Sequence, residues 1–119
     1  MNLSTAILLA WMKACCLNYG VEPEFALAVA RVESGTKTEM LRFGPMGKSG
    51  RYYGPFGIER SFLKKWPIDN PFVNVEVGVR ALRGRDKRRV LKRYNASFNE
   101  GYFRAVMAAC RKYKNEGLP

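Results

Sequence analysis

Ten carboxylates and no histidine bound the chemistry open to this 119-residue chain. Without histidine there is no Ser-His or Cys-His nucleophile pair, no imidazole ligand for zinc and no imidazole acid or base. Carboxylates, tyrosines, lysines and cysteines remain. Glu22 and Glu24 flank an expected helix start and Asp86 precedes another, places where the helix dipole favours negative charge. Glu33 stands apart. It follows Val29 by four residues, adjoins Val32 at the apolar margin of a helix, and comes directly before Ser34-Gly35 and a glycine-rich segment. A carboxylic acid held against apolar walls at the mouth of a cleft has its charged form disfavoured, so it keeps its proton near neutral pH and can donate it. That is the property a general acid for glycoside cleavage needs. The residues alone also allow a plainer account, a helix-end glutamate paired with Arg31 or Lys37 at the surface.

The elements that must position Glu33 follow from apolar spacing and punctuation. Ser4 or Thr5 is expected to cap a first helix with Ile7, Leu8, Trp11 and Cys15 on one face and Gly20 as its stop. Pro23 opens a second, whose Phe25, Val29 and Val32 share a face and which ends near Gly35. The glycine- and proline-rich stretch 36–57 reads as a long irregular loop with room for a small hairpin, and loops this long inside small domains are usually functional. Ile58–Trp66 reads as a short helix stopped by Trp66-Pro67. Asn70-Pro71 opens another, with Phe72, Val75, Val79 and Leu82 inward, and Asp86–Tyr94 follows with Val90, Leu91 and Tyr94 inward. A last helix carries Phe103, Val106, Met107 and Cys110, with Tyr102 and Tyr113 alongside. No period-two pattern persists, so the expected fold is mostly α, one domain spanning 1–119. Its 47% apolar content supports a packed core at this length.

Four blocks in this order resemble the lytic transglycosylases of the soluble type, relatives of goose-type lysozyme. Residues 17–35, ending Arg-Val-Glu-Ser-Gly, are similar to that domain's opening. Gly54-Pro55-Phe56-Gly57-Ile58 stands where the family has Gly-Leu-Met-Gln-Ile, residues 70–82 are similar to its Asn-Pro block, and Tyr94-Asn95-Ala96 to its Tyr-Asn-Ala-Gly block. The resemblance implies a lysozyme-like fold, no cofactor and no metal, and Glu33 as the acid that protonates the leaving oxygen and later acts as base. It implies that Tyr94 reaches toward Glu33 and the sugar, that Asn95 holds that turn, and that Gly54, Phe56, Gly57 and Ile58 wall a sugar groove near Ser34. The family's Gln is Gly57 here, its Met is Phe56, and Ser97 replaces the glycine after Tyr-Asn-Ala. Tyr52, Tyr53 and Phe56 could stack on sugar rings or cover the core.

Glycosidases that use two carboxylates hold them roughly 5 Å apart for retention and roughly 6.5–9.5 Å apart for inversion. After Glu33 the next acids are Glu39 and Glu59, and the resemblance gives neither a role. With one carboxylate, the substrate's own N-acetyl carbonyl can attack the anomeric carbon and the 6-hydroxyl can close an anhydro ring. The implied reaction is therefore peptidoglycan cleavage between N-acetylmuramic acid and N-acetylglucosamine, by a transglycosylase or otherwise by a lysozyme-like hydrolase.

The formal charge of +11 is concentrated: eight of the fourteen residues from Arg80 to Arg93 are basic. Such a patch attracts polyanions, wall polymers being the expected partners. A non-catalytic basic helical module binding nucleic acid or cell-wall polyanions is the rival class, and binding alone leaves Glu33 and the four blocks unexplained. The protein is expected to act as a monomer on glycan strands in the periplasm or at the wall. Ala6–Met12 is too short to span a membrane and lacks a basic start, so delivery by phage, a secretion apparatus or a longer precursor is expected. Cys15, Cys16 and Cys110 imply no disulfide framework and read as small buried hydrophobes.

Overall fold

A computed structural model describes residues 3–34, 45–46 and 52–119. Helix α1 runs Leu3–Tyr19 and ends at Gly20, whose φ of +69° turns the chain back so that Val21 N–H donates to the Cys16 carbonyl. The expected cap at Ser4 or Thr5 is overturned, because the helix is already under way at Leu3. Its inward face is also rotated. Leu8, Leu9, Met12, Cys15 and Cys16 are buried while Ile7 is exposed, because α1 lies against two helices and needs a wide apolar stripe.

Helix α2, Pro23–Ser34, begins with proline as expected and buries every residue from Phe25 to Ala30, as a helix at the centre of a core must. Beyond it, β1 (Pro45–Met46), β2 (Tyr52–Tyr53) and β3 (Ile58–Glu59) form a three-stranded antiparallel sheet in that order, with Pro45 opposite Tyr53 and Tyr53 opposite Ile58. The expected hairpin thus gains a third strand, and the expected helix over Ile58–Trp66 shrinks to a 3₁₀ turn at Arg60–Lys64. The cause is the turn Gly54–Gly57, closed by Gly57 N–H on the Gly54 carbonyl, with φ of +71° and +61° at its glycines. It folds Ile58 back onto Tyr53 before a helix can start.

Asn70 caps α3, Pro71–Ala81, accepting from the Phe72 and Val73 amides at 2.9 and 3.3 Å. Val75, Val79 and Leu82 are buried as expected, whereas Phe72 lies at the surface, edge-on to Trp11, whose indole donates to the Phe72 carbonyl at 2.7 Å. Two close fits seat the Gly54–Gly57 turn on α3. A Cβ at Gly78 would lie 2.5 Å from the Phe56 ring, and one at Gly54 would lie 2.1 Å from the buried Asn74 side chain, which itself donates to the Ile68 carbonyl. Asp86 caps α4, Lys87–Tyr94, and Asn99 caps α5, Glu100–Glu116. α5 packs on α2, and Glu22 at the start of α2 pairs with Lys87 of α4 and Lys114 of α5.

The described residues therefore form one mostly helical domain, five α-helices with a small sheet at one side. None of these helices is long and apolar enough to cross a membrane. The three cysteines are free and buried, and burial pushes the thiols of Cys15 and Cys16 up to about 11 and about 12, so they pack as uncharged groups.

Candidate active site

A cleft of about 880 Å³ opens where the last turn of α2, the Gly54–Gly57 turn, the end of α3 and the turn after α4 meet. That volume lies in the range of small-molecule binding sites, roughly 300–1,000 Å³. Glu33 lines it from the end of α2. One carboxylate oxygen, Oε1, accepts from the Tyr102 hydroxyl at 2.7 Å and from the Asn95 amide at 3.3 Å. The other, Oε2, lies over Gly57, where a Cβ would stand 3.1 Å away.

Each partner is itself held. Asn95 follows the last residue of α4, and its side-chain Oδ1 accepts from the Ser97 amide at 2.8 Å, which aims its Nδ2 at Glu33. Tyr102 sits in the first turn of α5, its backbone fixed by the Asn99 cap at 2.8 Å. The glycine at position 57 keeps the wall clear of Oε2 and accepts a left-handed backbone at no steric cost.

Burial raises the Glu33 pKa above the ordinary carboxylate value. The hydrogen bonds from Tyr102 and Asn95 pull the other way, because they favour the charged form, but burial is the larger effect. The hydroxyls of Tyr94 and Tyr102 are raised too, by burial first and then by the charge of Glu33, so both stay protonated and serve as donors. With Oε1 occupied by two donors, the carboxyl proton belongs on Oε2. The site can therefore release a proton over Gly57 and then stabilise the resulting carboxylate through Oε1.

Of the residues singled out in the sequence, Gly57, Ile58, Tyr94 and Asn95 line the cleft together with Glu33. The side chains of Ser34, Tyr52 and Tyr53 lie outside the described residues, as does Glu39. Two expectations are corrected. Phe56 is fully buried against Gly78, and Gly54 is buried against Asn74, so neither walls the groove; the turn tucks both inward to seat the loop on α3. Tyr94 does not bond to Glu33. Its hydroxyl donates to the Phe56 carbonyl, tying α4 to the turn, and Tyr102 takes the place beside the carboxylate.

Sequence reasoning placed Tyr102 on the apolar face of α5 with Val106 and Tyr113. The signal available was its hydroxyl, since a tyrosine on an inward face needs a polar partner. Arg80, Arg83, Arg93, Glu59 and Phe62 also line the cleft and were not singled out for it. Among the described residues no group of three or more acidic or cysteine side chains could hold a metal ion. No protein-family model, curated protein or solved structure matches the chain.

Proposed function

We propose that this protein cleaves the glycan strand of peptidoglycan between N-acetylmuramic acid and N-acetylglucosamine, as a lytic transglycosylase with Glu33 as its acid and base. One observation carries the reading: a single carboxylate with a raised pKa, held through one oxygen by Tyr102 and Asn95, stands at the wall of a sugar-sized cleft. The four sequence blocks point the same way.

In this mechanism Glu33 Oε2 gives its proton to the glycosidic oxygen as the bond to the anomeric carbon breaks, and the substrate's N-acetyl carbonyl oxygen takes up that carbon. The Glu33 carboxylate, steadied by Tyr102 and Asn95, then accepts the proton of the 6-hydroxyl. The 6-oxygen closes on the anomeric carbon and frees the N-acetyl group. The proton lent in the first step is regained in the second, and no water is consumed. One well-placed acid and base of this kind contributes about 10² to 10⁴ in rate, and the rest comes from intramolecular attack.

Digestion of purified sacculi followed by mass spectrometry tests the reading. Anhydromuropeptides, one water lighter than hydrolysis products, are expected from the wild-type protein and are lost in Glu33→Gln, which keeps its fold. Full activity in that variant refutes the role of Glu33. The hydrolase reading keeps one observation in its favour: Glu59 is a second carboxylate on the same cleft. Hydrated products that disappear in Glu59→Gln would decide for it.

A further inference from the structure

Eight basic residues between Arg80 and Arg93 look uniform in sequence, but the fold divides them. Lys87 and Arg88 are engaged by Glu22 and Glu100, and Lys92 stands over the Phe98 ring. Arg80, Arg83 and Arg93 instead line the same cleft as Glu33, and no carboxylate pairs with them among the described residues.

Their positions are built. Arg93 Nη2 donates to the carbonyls of Ala81 and Arg83, at 3.3 and 2.7 Å, which anchors its guanidinium over the end of α3. Arg83 Nε donates to the Arg80 carbonyl at 2.9 Å, and its guanidinium carbon stands 5.8 Å from the Tyr19 ring centroid. Arg80 stands 5.7 Å from the Trp66 centroid. A guanidinium carries five donors, so each keeps donors beyond those it spends on the backbone, in the fork geometry that matches a carboxylate. Against these three cations the cleft lining sets only Glu33 and Glu59. Burial raises the Glu33 pKa, against the opposing hydrogen bonds from Tyr102 and Asn95.

We propose that Arg80, Arg83 and Arg93 form a carboxylate subsite on the cleft that Glu33 lines, which takes the acidic substituents of the glycan strand, its lactyl or stem-peptide carboxylates, while the sugar lies along the wall at Glu33. The inference rests on the glycan-cleaving reading and adds a choice of substrate: a strand bearing carboxylates is preferred to a neutral β-1,4 N-acetylglucosamine oligomer of the same length.

The test measures binding by the Glu33→Gln protein, which holds substrate without turnover, to three probes at low salt: muramic-acid-bearing strands, the same strands with their carboxyls converted to amides, and chitohexaose. Tighter binding of the carboxylated strand is expected, and Arg80→Gln/Arg83→Gln should lower that affinity about tenfold while leaving chitohexaose binding unchanged. Arg93 is left in place because it bridges two backbone carbonyls, and thermal melting of the double variant checks its fold. In the active protein the same substitutions should raise KM and leave kcat and its pH profile in place. Equal affinity for all three probes overturns the subsite and leaves the glycan reading standing. Binding of none of them overturns both. Tighter binding of a single-stranded oligonucleotide than of the carboxylated strand, lost in the double variant, overturns the subsite in favour of phosphate recognition.

Discussion

The two ends of the cleft are built on opposite principles. Around Glu33 the polar groups are few, partly buried and satisfied: Oε1 has two donors, each donor is oriented by a backbone cap or turn, and Gly57 leaves just enough room at Oε2. Around Arg80, Arg83 and Arg93 the groups are exposed and cationic; backbone carbonyls hold Arg83 and Arg93, and Arg80 stands over the Trp66 ring, so none of the three is held by a counter-charge among the described residues. Desolvation makes the first end able to hold a proton that water would remove. It would be wasted at the second, where a guanidinium is charged at any accessible pH and works by attraction over several ångströms. A tuned acid needs a dry, rigid setting, whereas recognition of a carboxylate needs only donors held in place.

Changes at the Glu33 end should therefore act on turnover and pH dependence, and changes at the arginine end on affinity and salt dependence. The largest effect is expected from Glu33→Gln, a loss of about 10² to 10⁴ in kcat. Its stability should move the other way. A carboxyl with a raised folded pKa contributes stability below its unfolded value and loses it as pH rises through the folded value, so the wild-type protein carries a penalty at neutral pH that the amide removes. Melting curves at pH 7 should show Glu33→Gln no less stable than wild type, with the difference shrinking toward acid pH. A variant that melts much lower would mean that the carboxylate holds the fold together.

Next comes Gly57→Ala, which forces a side chain into a backbone at φ +61° and sets its Cβ 3.1 Å from Glu33 Oε2. It should cost about 1–2 kcal/mol of stability and lower kcat more than it raises KM. Denaturant unfolding and steady-state kinetics read the two effects separately. Tyr102→Phe follows, with a kcat loss of about tenfold. Removing a donor to the charged form lets the Glu33 pKa climb further, so the high-pH limb of the activity profile should move to higher pH. An unmoved limb would mean that Tyr102 only fills space. Smallest in turnover is Arg80→Gln/Arg83→Gln, expected to leave kcat and the pH limb alone while flattening the dependence of KM on salt. A shifted pH limb in that variant would show that the two ends are coupled after all.

Much of the scaffold is legible in the chain because its causes are local. Pro23, the Asn70-Pro71 pair, Asp86 and Gly20 mark helix ends through their own backbone and side-chain preferences, and each acts where the spacing predicts. The misread elements have non-local causes. Ile58–Glu59 carries no strand pattern of its own and becomes one because two left-handed glycines return it to Tyr53. Phe56, read as a candidate sugar platform, is core because Gly78, twenty-two residues later, leaves a hole for its ring. Phe72, read as core, is surface because α1 meets α3 through Trp11.

The same division holds for the chemistry. Composition excludes imidazole chemistry outright, and position makes Glu33 a candidate among ten acids, an acid at the apolar margin of a helix that runs into a glycine-rich segment, while the resemblance of the four blocks is what sets it above a surface glutamate. Which side chains hold that acid, and which cations share its cleft, is invisible there. Tyr94 and Tyr102 lie eight residues apart, both are aromatic and both carry a hydroxyl, yet one is spent on a loop carbonyl and the other on the carboxylate. Hydrogen bonds reach about 3 Å and depend on direction, so choosing between two such partners takes the packing of α5 against α2, sixty-nine residues apart at the contact that matters.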